Sequence, residues 1–240
     1  MKLYEHEAKE LLRSGGILTP KGVLVTLDSS PFWIFAPHTK MVCKSQVLTG
    51  NRKQNGGIVF ADSKTEAMGA VDGLMKKEIL GWSPTGVLIE ERANALGAEY
   101  YLSFSCDTAK RAFIFSYAKD GGTDVEKRGA TVVEIDETNV QFPELGIPDE
   151  LLHRIYGVFK KNDCELLEIN PLVESKANMW IALDAKIILD DTASMRHPLW
   201  KFPERALRPH TMRNEREERA KKIDEGDHRG VAGSAYLDLD

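Results

Sequence analysis

Two strand-like segments, residues 166–172 and 182–186, most constrain how this 240-residue chain can fold. The first alternates apolar and polar side chains, and in an extended strand alternate side chains point to opposite faces. Glu168 and Asn170 therefore share one face, while the apolar residues beside them share the other. A polar, acidic face on strands that are otherwise apolar needs a chemical reason, because burying an unpartnered charge is costly. The pattern predicts a functional hairpin within a sheet.

Asn170 and Asp184 are the most specific pair in this region. The predicted hairpin pairs strand 165–169 with strand 180–185 and joins them through Asn170-Pro171, which brings the two side chains onto adjacent strands. A carboxylate and an amide oxygen that converge suit a hard cation such as Mg²⁺ that carries nucleotide phosphates. The alternative is a capped turn, since Asn-Pro is a turn former by itself. The acidic face favours the metal interpretation.

A lysine inside a second β-rich segment is a candidate phosphate ligand. Lys44 lies in residues 41–47, and a polar loop over residues 49–57 follows at once, with Arg52 and two adjacent glycines in it. A lysine supplies charge, and glycines let backbone N–H groups approach phosphate oxygens. In an arbitrary strand such a lysine simply points to solvent. The cationic glycine loop favours a polyphosphate site here, although the chain contains no GxxxxGK[ST] loop and no GxGxxG after a strand.

Two further carboxylates, Glu90 and Glu99, flank a short connection of Ala, Asn and Gly residues. Carboxylates placed in this way can accept hydrogen bonds from ribose hydroxyls or from the amino group of a base. The alternative is a pair of exposed acids on a turn. The residues alone leave these two interpretations equally open.

The rest of the pattern mixes helices with antiparallel hairpins, which predicts an α+β fold. Helices are expected at the start of the chain, over about 64–77, over 148–161 and over 213–223. Ser63 and Glu66 form a predicted capping box for the second of these helices. A hairpin is expected between strands 99–106 and 112–118.

Composition excludes several classes of protein. The formal net charge of −5 argues against wholesale nucleic-acid binding. No apolar run approaches the roughly 18 residues that a membrane span needs, and the first residues contain no apolar signal segment. Three scattered cysteines without metal-ligand spacing suit a reducing compartment. A cytoplasmic protein with no membrane or nucleic-acid partner is therefore expected.

The order of these motifs resembles the β subunit of the succinyl-CoA synthetase and ATP-citrate lyase family. The resemblance rests on five runs, at residues 4–12, 44–47, 121–126, 168–173 and 182–186. The run Glu-Ile-Asn-Pro-Leu-Val at 168–173, with its partner at 182–186, is the most specific of them. The resemblance implies an ATP-grasp fold, in which two α+β subdomains clasp a nucleotide between antiparallel sheets.

The resemblance also implies a role for each candidate residue. Lys44 and the loop that contains Arg52 would contact the phosphates of ATP or GTP, and Asn170 with Asp184 would bind Mg²⁺. The base and ribose end would be held by Glu90 and Glu99.

A partner is implied as well. In this family the nucleotide phosphorylates a histidine of an α-type subunit or domain that carries CoA, and the phosphohistidine then forms an acyl phosphate that CoA attacks. Glu168 is similar to the acid that meets this histidine.

The resemblance divides the chain into an ATP-grasp domain over 1–225, with a smaller subdomain inserted at approximately 20–95, and a segment 226–240. That last segment would be a linker and the first strand of a missing C-terminal CoA-ligase domain.

The sequence is also compatible with two rival functions. A subunit of ATP-citrate lyase or citryl-CoA synthetase is favoured by residues 99–101 and 196–200. A non-catalytic regulatory homologue is favoured by residues 51–55, because two glycines of the family loop are replaced there.

Overall fold

The computed structural model describes residues 1–29, 33–93, 95–119, 121, 129–198, 200 and 202. Within these ranges it contains two antiparallel sheets, three α-helices and one 3-10 helix. The predicted helix at 213–223 and the predicted linker and strand at 226–240 lie outside the described residues. The proposed domain boundaries therefore stay a prediction.

The smaller sheet has four strands, in the spatial order β1-β4-β2-β3. Its strands are β1 Gly22–Val25, β2 Met41–Ser45, β3 Ile58–Ala61 and β4 Val87–Glu91. Every residue of β2 is buried, because β2 lies between β3 and β4 and is covered by helix α2, Lys64–Met75. The predicted cap of α2 is confirmed, since Ser63 accepts a hydrogen bond from the Glu66 N–H at 3.2 Å. The carboxylate of Glu66 accepts in return from the N–H of Asp62.

The larger sheet has six strands, in the order β10-β8-β5-β6-β7, and β9 pairs with β8. Their ranges are β5 Ala95–Asp107, β6 Ala112–Ala118, β7 Thr131–Ile135, β8 Cys164–Ser175, β9 Trp180–Ala182 and β10 Ala185–Leu189. The predicted hairpin between β5 and β6 is confirmed. The second predicted hairpin is corrected, because β8 runs straight through Asn170-Pro171 instead of turning there. Its partner is divided into β9 and β10, and the β5–β8 register shifts beside Pro171, as expected where a proline interrupts the ladder.

Helices α1, Glu5–Ser14, and α3, Asp149–Lys161, pack on the larger sheet and enclose an apolar core. The centre of that core is aromatic. Phe104 of β5 is fully buried and lies 4.9 Å from Phe115 of β6, measured between ring centroids. A 3-10 helix, Asp191–Arg196, follows β10. Of the helices in the described ranges, none combines the length and the apolar character that crossing a bilayer requires.

Candidate functional site

Six charged side chains meet where α1 and the smaller sheet approach the β9–β10 connection of the larger sheet. We call this set the charged seam. Its members are Glu5 and Lys9 of α1, Lys44 of β2, Arg52 of the following loop, Glu90 of β4 and Asp184 between β9 and β10. Three of these groups are cations and three are carboxylates, so the formal charge of the seam is zero.

Lys44 lies at the centre of the seam and is 6% exposed. Its Nζ lies 2.8 Å from Glu5 Oε1, 2.8 Å from Glu90 Oε2 and 2.6 Å from the carbonyl oxygen of Leu183. An ammonium group has three N–H donors and no acceptor. Glu5 Oε1 and the Leu183 carbonyl accept hydrogen bonds from Lys44, and Glu90 Oε2 adds an ion pair.

Lys9 repeats this arrangement and is completely buried. Its Nζ lies 2.6 Å from Glu90 Oε1, 2.7 Å from Glu5 Oε1 and 2.8 Å from the carbonyl oxygen of Leu183. Glu5 and Lys9 are four residues apart in α1, so the helix places them on one face. The carbonyl of Leu183 accepts from both lysines, which fixes the residue immediately before Asp184.

Arg52 connects the loop after β2 to both sheets. Its Nη2 lies 2.9 Å from each carboxylate oxygen of Asp184, and its Nη1 donates to the carbonyl oxygen of Ser45 at 3.1 Å. Nη1 also lies 2.7 Å from Glu5 Oε2, as an ion pair without the direction of a hydrogen bond. The Asp184 side chain is 35% exposed, whereas the side chain of Arg52 is 9% exposed. The seam thus opens to solvent at Asp184.

The loop forms a tight turn at positions where the family resemblance leads us to expect glycine. Asn51 has a φ of 56°, a left-handed conformation that asparagine tolerates better than most residues with a side chain. The N–H of Gly57 donates to the carbonyl oxygen of Arg52 at 2.7 Å and closes the turn. The substitution at Asn51 is therefore compatible with a glycine-like backbone.

The charges of the seam favour the ionised forms of Glu5 and Lys44 but not of Lys9. Burial acts to raise the pKa of Glu5, but the charges of Arg52, Lys44 and Lys9 outweigh it and hold the pKa well below its ordinary value. Burial acts to lower the pKa of Lys44, yet nearby carboxylates, Glu5 first, raise it above the ordinary value. The pKa of Lys9 is lowered, because burial and repulsion from Lys44 outweigh its attraction to the carboxylates.

The structure brings together four of the residues that were singled out in the sequence, Lys44, Arg52, Glu90 and Asp184. Glu90 is 1% exposed and both of its oxygens are held by lysines, so the interpretation as an exposed acid is wrong for this residue. Glu99 is not part of the seam. It lies on β5 and is exposed, and its carbonyl oxygen accepts from the N–H of Gly121.

Asn170 and Glu168 lie on β8, beside the seam. The N–H of Asn170 donates to the carbonyl oxygen of Asp184 at 3.2 Å, which confirms that the two residues lie next to each other. The interpretation of Asn170 as a capped turn is wrong, since β8 continues past it. Glu168 is paired in register with Ser103 of β5 and with Lys186 of β10, whose Nζ lies 3.8 Å from Glu168 Oε2.

Sequence reasoning missed Glu5 and Lys9 as members of the site. Both residues fall in the 4–12 run that carries part of the family resemblance, but a charged pair four residues apart is ordinary on a solvated helix. One signal was available. Ala8 and Leu12, which lie beside the pair, are fully buried in the core, so Lys9 falls at the edge of the apolar face of α1.

The donor set fits Mg²⁺ in one specific way. No group of three or more His, Cys, Asp or Glu side chains that could hold a metal occurs in the part of the chain that the structure describes. Mg²⁺ in nucleotide sites takes one or two protein oxygens, and phosphates and waters supply the rest. Asp184 and the neighbouring Asn170 are residue types that meet this requirement, and the Asp184 carboxylate, which Arg52 holds in this structure, is partly open to solvent.

Two antiparallel sheets that meet at a junction of paired cations and carboxylates match the architecture of an ATP-grasp protein, and comparison with known families agrees. The model of the ATP-grasp domain matches residues 2–174. The chain belongs to this family, which confirms the predicted α+β ATP-grasp fold.

In sequence, the chain is similar to β subunits of ADP-forming succinate–CoA ligase. It is 31% identical over 225 residues to the subunit from Methanocaldococcus jannaschii, an alignment that covers 85% of this chain and 61% of that protein. It is 33% identical over 221 residues to the subunit from Desulfurococcus amylolyticus, covering 82% and 58%. The chain therefore spans about three-fifths of the length of these relatives.

Solved structures share the fold. An ATP citrate lyase from Methanothrix soehngenii, in complex with citrate and coenzyme A, superposes with a TM-score of 0.70 at 21% identity, covering 95% of this chain and 60% of that one. A dinucleotide-forming acetyl-coenzyme A synthetase from Ca. Korarchaeum cryptofilum superposes with a TM-score of 0.53 at 19% identity, covering 79% and 93%. These two likenesses concern the fold alone.

Proposed function

We propose that this chain is the nucleotide-binding part of an ADP-forming acid–CoA ligase. The observation that carries the proposal is the convergence of Lys44, Arg52 and Asp184, with Asn170 next to Asp184. Two cations beside a carboxylate and an amide oxygen are the groups that a magnesium–polyphosphate requires. The similarity to β subunits of succinate–CoA ligase supports the reaction class.

In this proposal each residue has a limited task. Lys44 and Arg52 hold phosphate oxygens, which places the terminal phosphate and neutralises its charge, because phosphoryl transfer needs mainly positioning and electrostatic stabilisation. Glu99, exposed on β5, accepts from the base or ribose end. Glu90 would contact the base or ribose end only after release from Lys9 and Lys44. In the described contacts it holds Lys44 in place.

Asn170 and Asp184 would hold Mg²⁺, which supplies charge neutralisation for the phosphates when it is bound. Glu168, on the same face of β8 as Asn170, would meet a phosphorylated histidine. That histidine would belong to an α-type subunit or domain that also carries CoA. A further ligase domain would follow residues 226–240.

Calorimetric titration of the 240-residue chain with ADP or ATP, with and without Mg²⁺, tests the nucleotide site. We expect binding that depends on Mg²⁺. Asp184→Asn should weaken it by about 1–3 kcal/mol, the usual cost of losing a charged contact. Asp72→Asn is the matched control, because Asp72 is an exposed aspartate on α2, away from the seam. Equal effects of the two changes, or no binding at millimolar nucleotide, would remove the site as described.

The activity is tested by adding candidate α-type partners, CoA and a panel of carboxylic acids, and by following CoA-dependent release of nucleoside diphosphate. Release with succinate supports the succinate–CoA ligase assignment. Release with citrate alone would favour the second candidate, a subunit of ATP-citrate lyase or citryl-CoA synthetase. Nucleotide binding without turnover on any acid would favour a regulatory homologue.

A further inference from the structure

The cations that the proposed function assigns to phosphate already contact several oxygens of the protein itself. Lys44 has three oxygens within 2.8 Å of Nζ, which equals its number of donors. Arg52 uses Nη1 and Nη2 on Glu5, Ser45 and Asp184. A phosphate oxygen that approaches either cation must therefore compete with carboxylates that are already in contact with it.

One carboxylate is common to both cations. Glu5 lies 2.8 Å from Lys44 and 2.7 Å from Arg52, and it also lies 2.7 Å from Lys9. Three cations around one buried anion are the surroundings that proteins provide for a phosphate group. Glu90, in contrast, contacts the two lysines but not Arg52 among the described contacts, and Asp184 is ion-paired with Arg52 alone.

Resting on the proposed function, we infer that Glu5 is an internal stand-in for a nucleotide phosphate and competes with it for Lys44 and Arg52. Displacement of this single carboxylate removes one anionic partner from each of the two cations at once. The polyphosphate of the incoming nucleotide would take the place of Glu5, and the first turn of α1 would loosen as Glu5 leaves.

The geometry shows why Glu5 is the partner that can leave. Its contact with Arg52 is an ion pair without hydrogen-bond direction, so Glu5 Oε2 has no hydrogen bond among the described atoms. Helix α1 does not depend on that contact, because Ala8 and Leu12 anchor it in the core of the larger sheet. Glu90 lies within a strand that pairs on both sides, and both of its carboxylate oxygens accept hydrogen bonds from Lys9.

The test compares Glu5→Gln with Glu10→Gln. Glu10 is an exposed glutamate on the same helix, so the two variants lose the same charge from the same element. Inorganic triphosphate with Mg²⁺ is titrated into each chain by calorimetry, and Mg-ADP is titrated in parallel. We expect Glu5→Gln to bind triphosphate about tenfold more tightly than the unaltered chain, since two charged donors lose their competitor. Glu10→Gln should change affinity less than about twofold.

Hydrogen exchange on the unaltered chain tests the same inference if Glu5→Gln fails to fold. Saturating Mg-ADP should speed amide exchange in the first turn of α1 and slow it in residues 50–57. Slower exchange in both segments would overturn the inference, as would triphosphate binding by Glu5→Gln that is no tighter than that of the unaltered chain. In either case tight Mg-ADP binding by the unaltered chain would leave the proposed function standing. If neither chain binds nucleotide or triphosphate, both proposals fall together.

Discussion

The charged seam and the aromatic core of the larger sheet are both buried, and different interactions stabilise them. Around Phe104 the ring centroids of Phe115, Tyr156, Phe142 and Phe159 lie between 4.9 and 5.9 Å away. Such a cluster is stabilised by apolar burial and ring packing, and a substitution lowers its stability in proportion to the buried apolar area that is lost. The seam instead consists of charges that have been taken out of water, and each charge depends on the others.

The difference suggests why the seam is there. A buried set of ion pairs is weak evidence for stability, because the cost of desolvation can exceed the attraction between the charges. Apolar residues of similar size would stabilise the junction of α1, β2 and β4 at least as well. A seam that is neutral as a whole but contains cations able to exchange partners fits a site that receives an anion.

The largest expected effect is in the aromatic core. Phe104→Ala should lower the free energy of unfolding by about 4 kcal/mol, because it removes a fully buried ring and leaves a cavity. Urea denaturation followed by circular dichroism measures this loss. Phe60→Ala is the control, since Phe60 is 55% exposed on β3, and it should cost less than about 1 kcal/mol. Equal losses would mean that the aromatic cluster is not the stabilising centre of the fold.

Breaking the seam should come next. Lys9→Met replaces the lysine with an unbranched apolar side chain and leaves Glu5 and Glu90 with one cation fewer. We expect the free energy of unfolding to fall by about 3 kcal/mol. The same urea titration measures this loss. A cost below about 1 kcal/mol would show that Lys9 is not needed to neutralise the carboxylates around it.

A second variant separates lost charge balance from lost packing. Lys9→Met combined with Glu5→Leu leaves Lys44, Arg52, Glu90 and Asp184, which are again neutral in sum. The double variant should recover much of the stability that Lys9→Met loses, because a balanced pair has been replaced by apolar side chains. If the two changes simply add, packing rather than charge balance determines the stability of the seam.

Acid should destabilise the seam more than the aromatic core. The pKa of Glu5 is depressed in the folded chain, so as the pH falls below about 4.5 the unfolded chain takes up a proton that the folded chain does not. The contribution of Glu5 to stability is therefore complete above that pH and is lost as the pH falls towards its folded pKa. Between about pH 6 and pH 3.5, the free energy of unfolding of Glu5→Gln should depend less on pH than that of the unaltered chain. The two slopes should differ by at most about 1.4 kcal/mol per pH unit. Phe104→Ala should keep the original pH dependence.

The parts of the fold that follow local rules could be predicted from the sequence. The cap at Ser63 and the hairpin between β5 and β6 depend on neighbouring residues, and both are confirmed. The hairpin at Asn170-Pro171 was wrong because the dipeptide is a turn former in isolation. Pairing of β8 on both sides, with β5 and with β9 and β10, overrides that preference.

The site could be predicted only in part for a similar reason. Lys44 and Asp184 were recognisable from their strands and from the family resemblance, but the contacts that join them through Arg52 and Glu5 span 39 to 132 residues of sequence. No periodicity carries information over such separations. Burial of Lys9 was also beyond local rules, since a helix pattern alone assigns a lysine to solvent.

The smallest expected effect repeats the lysine-to-methionine change at a site where solvent is present. Lys160 lies near the end of α3 with its side chain 39% exposed, 2.7 Å from Glu137, and its Nζ lies 3.7 Å from the centre of the Phe113 ring. Water screens both interactions, so Lys160→Met should cost less than about 1 kcal/mol. The urea titration used for Lys9→Met measures it under the same conditions, and the two variants differ in burial while sharing the same chemical change. A loss of stability for Lys160→Met as large as that for Lys9→Met would show that burial does not make the seam sensitive. The difference between the seam and the aromatic core would then depend on the number of charges in contact.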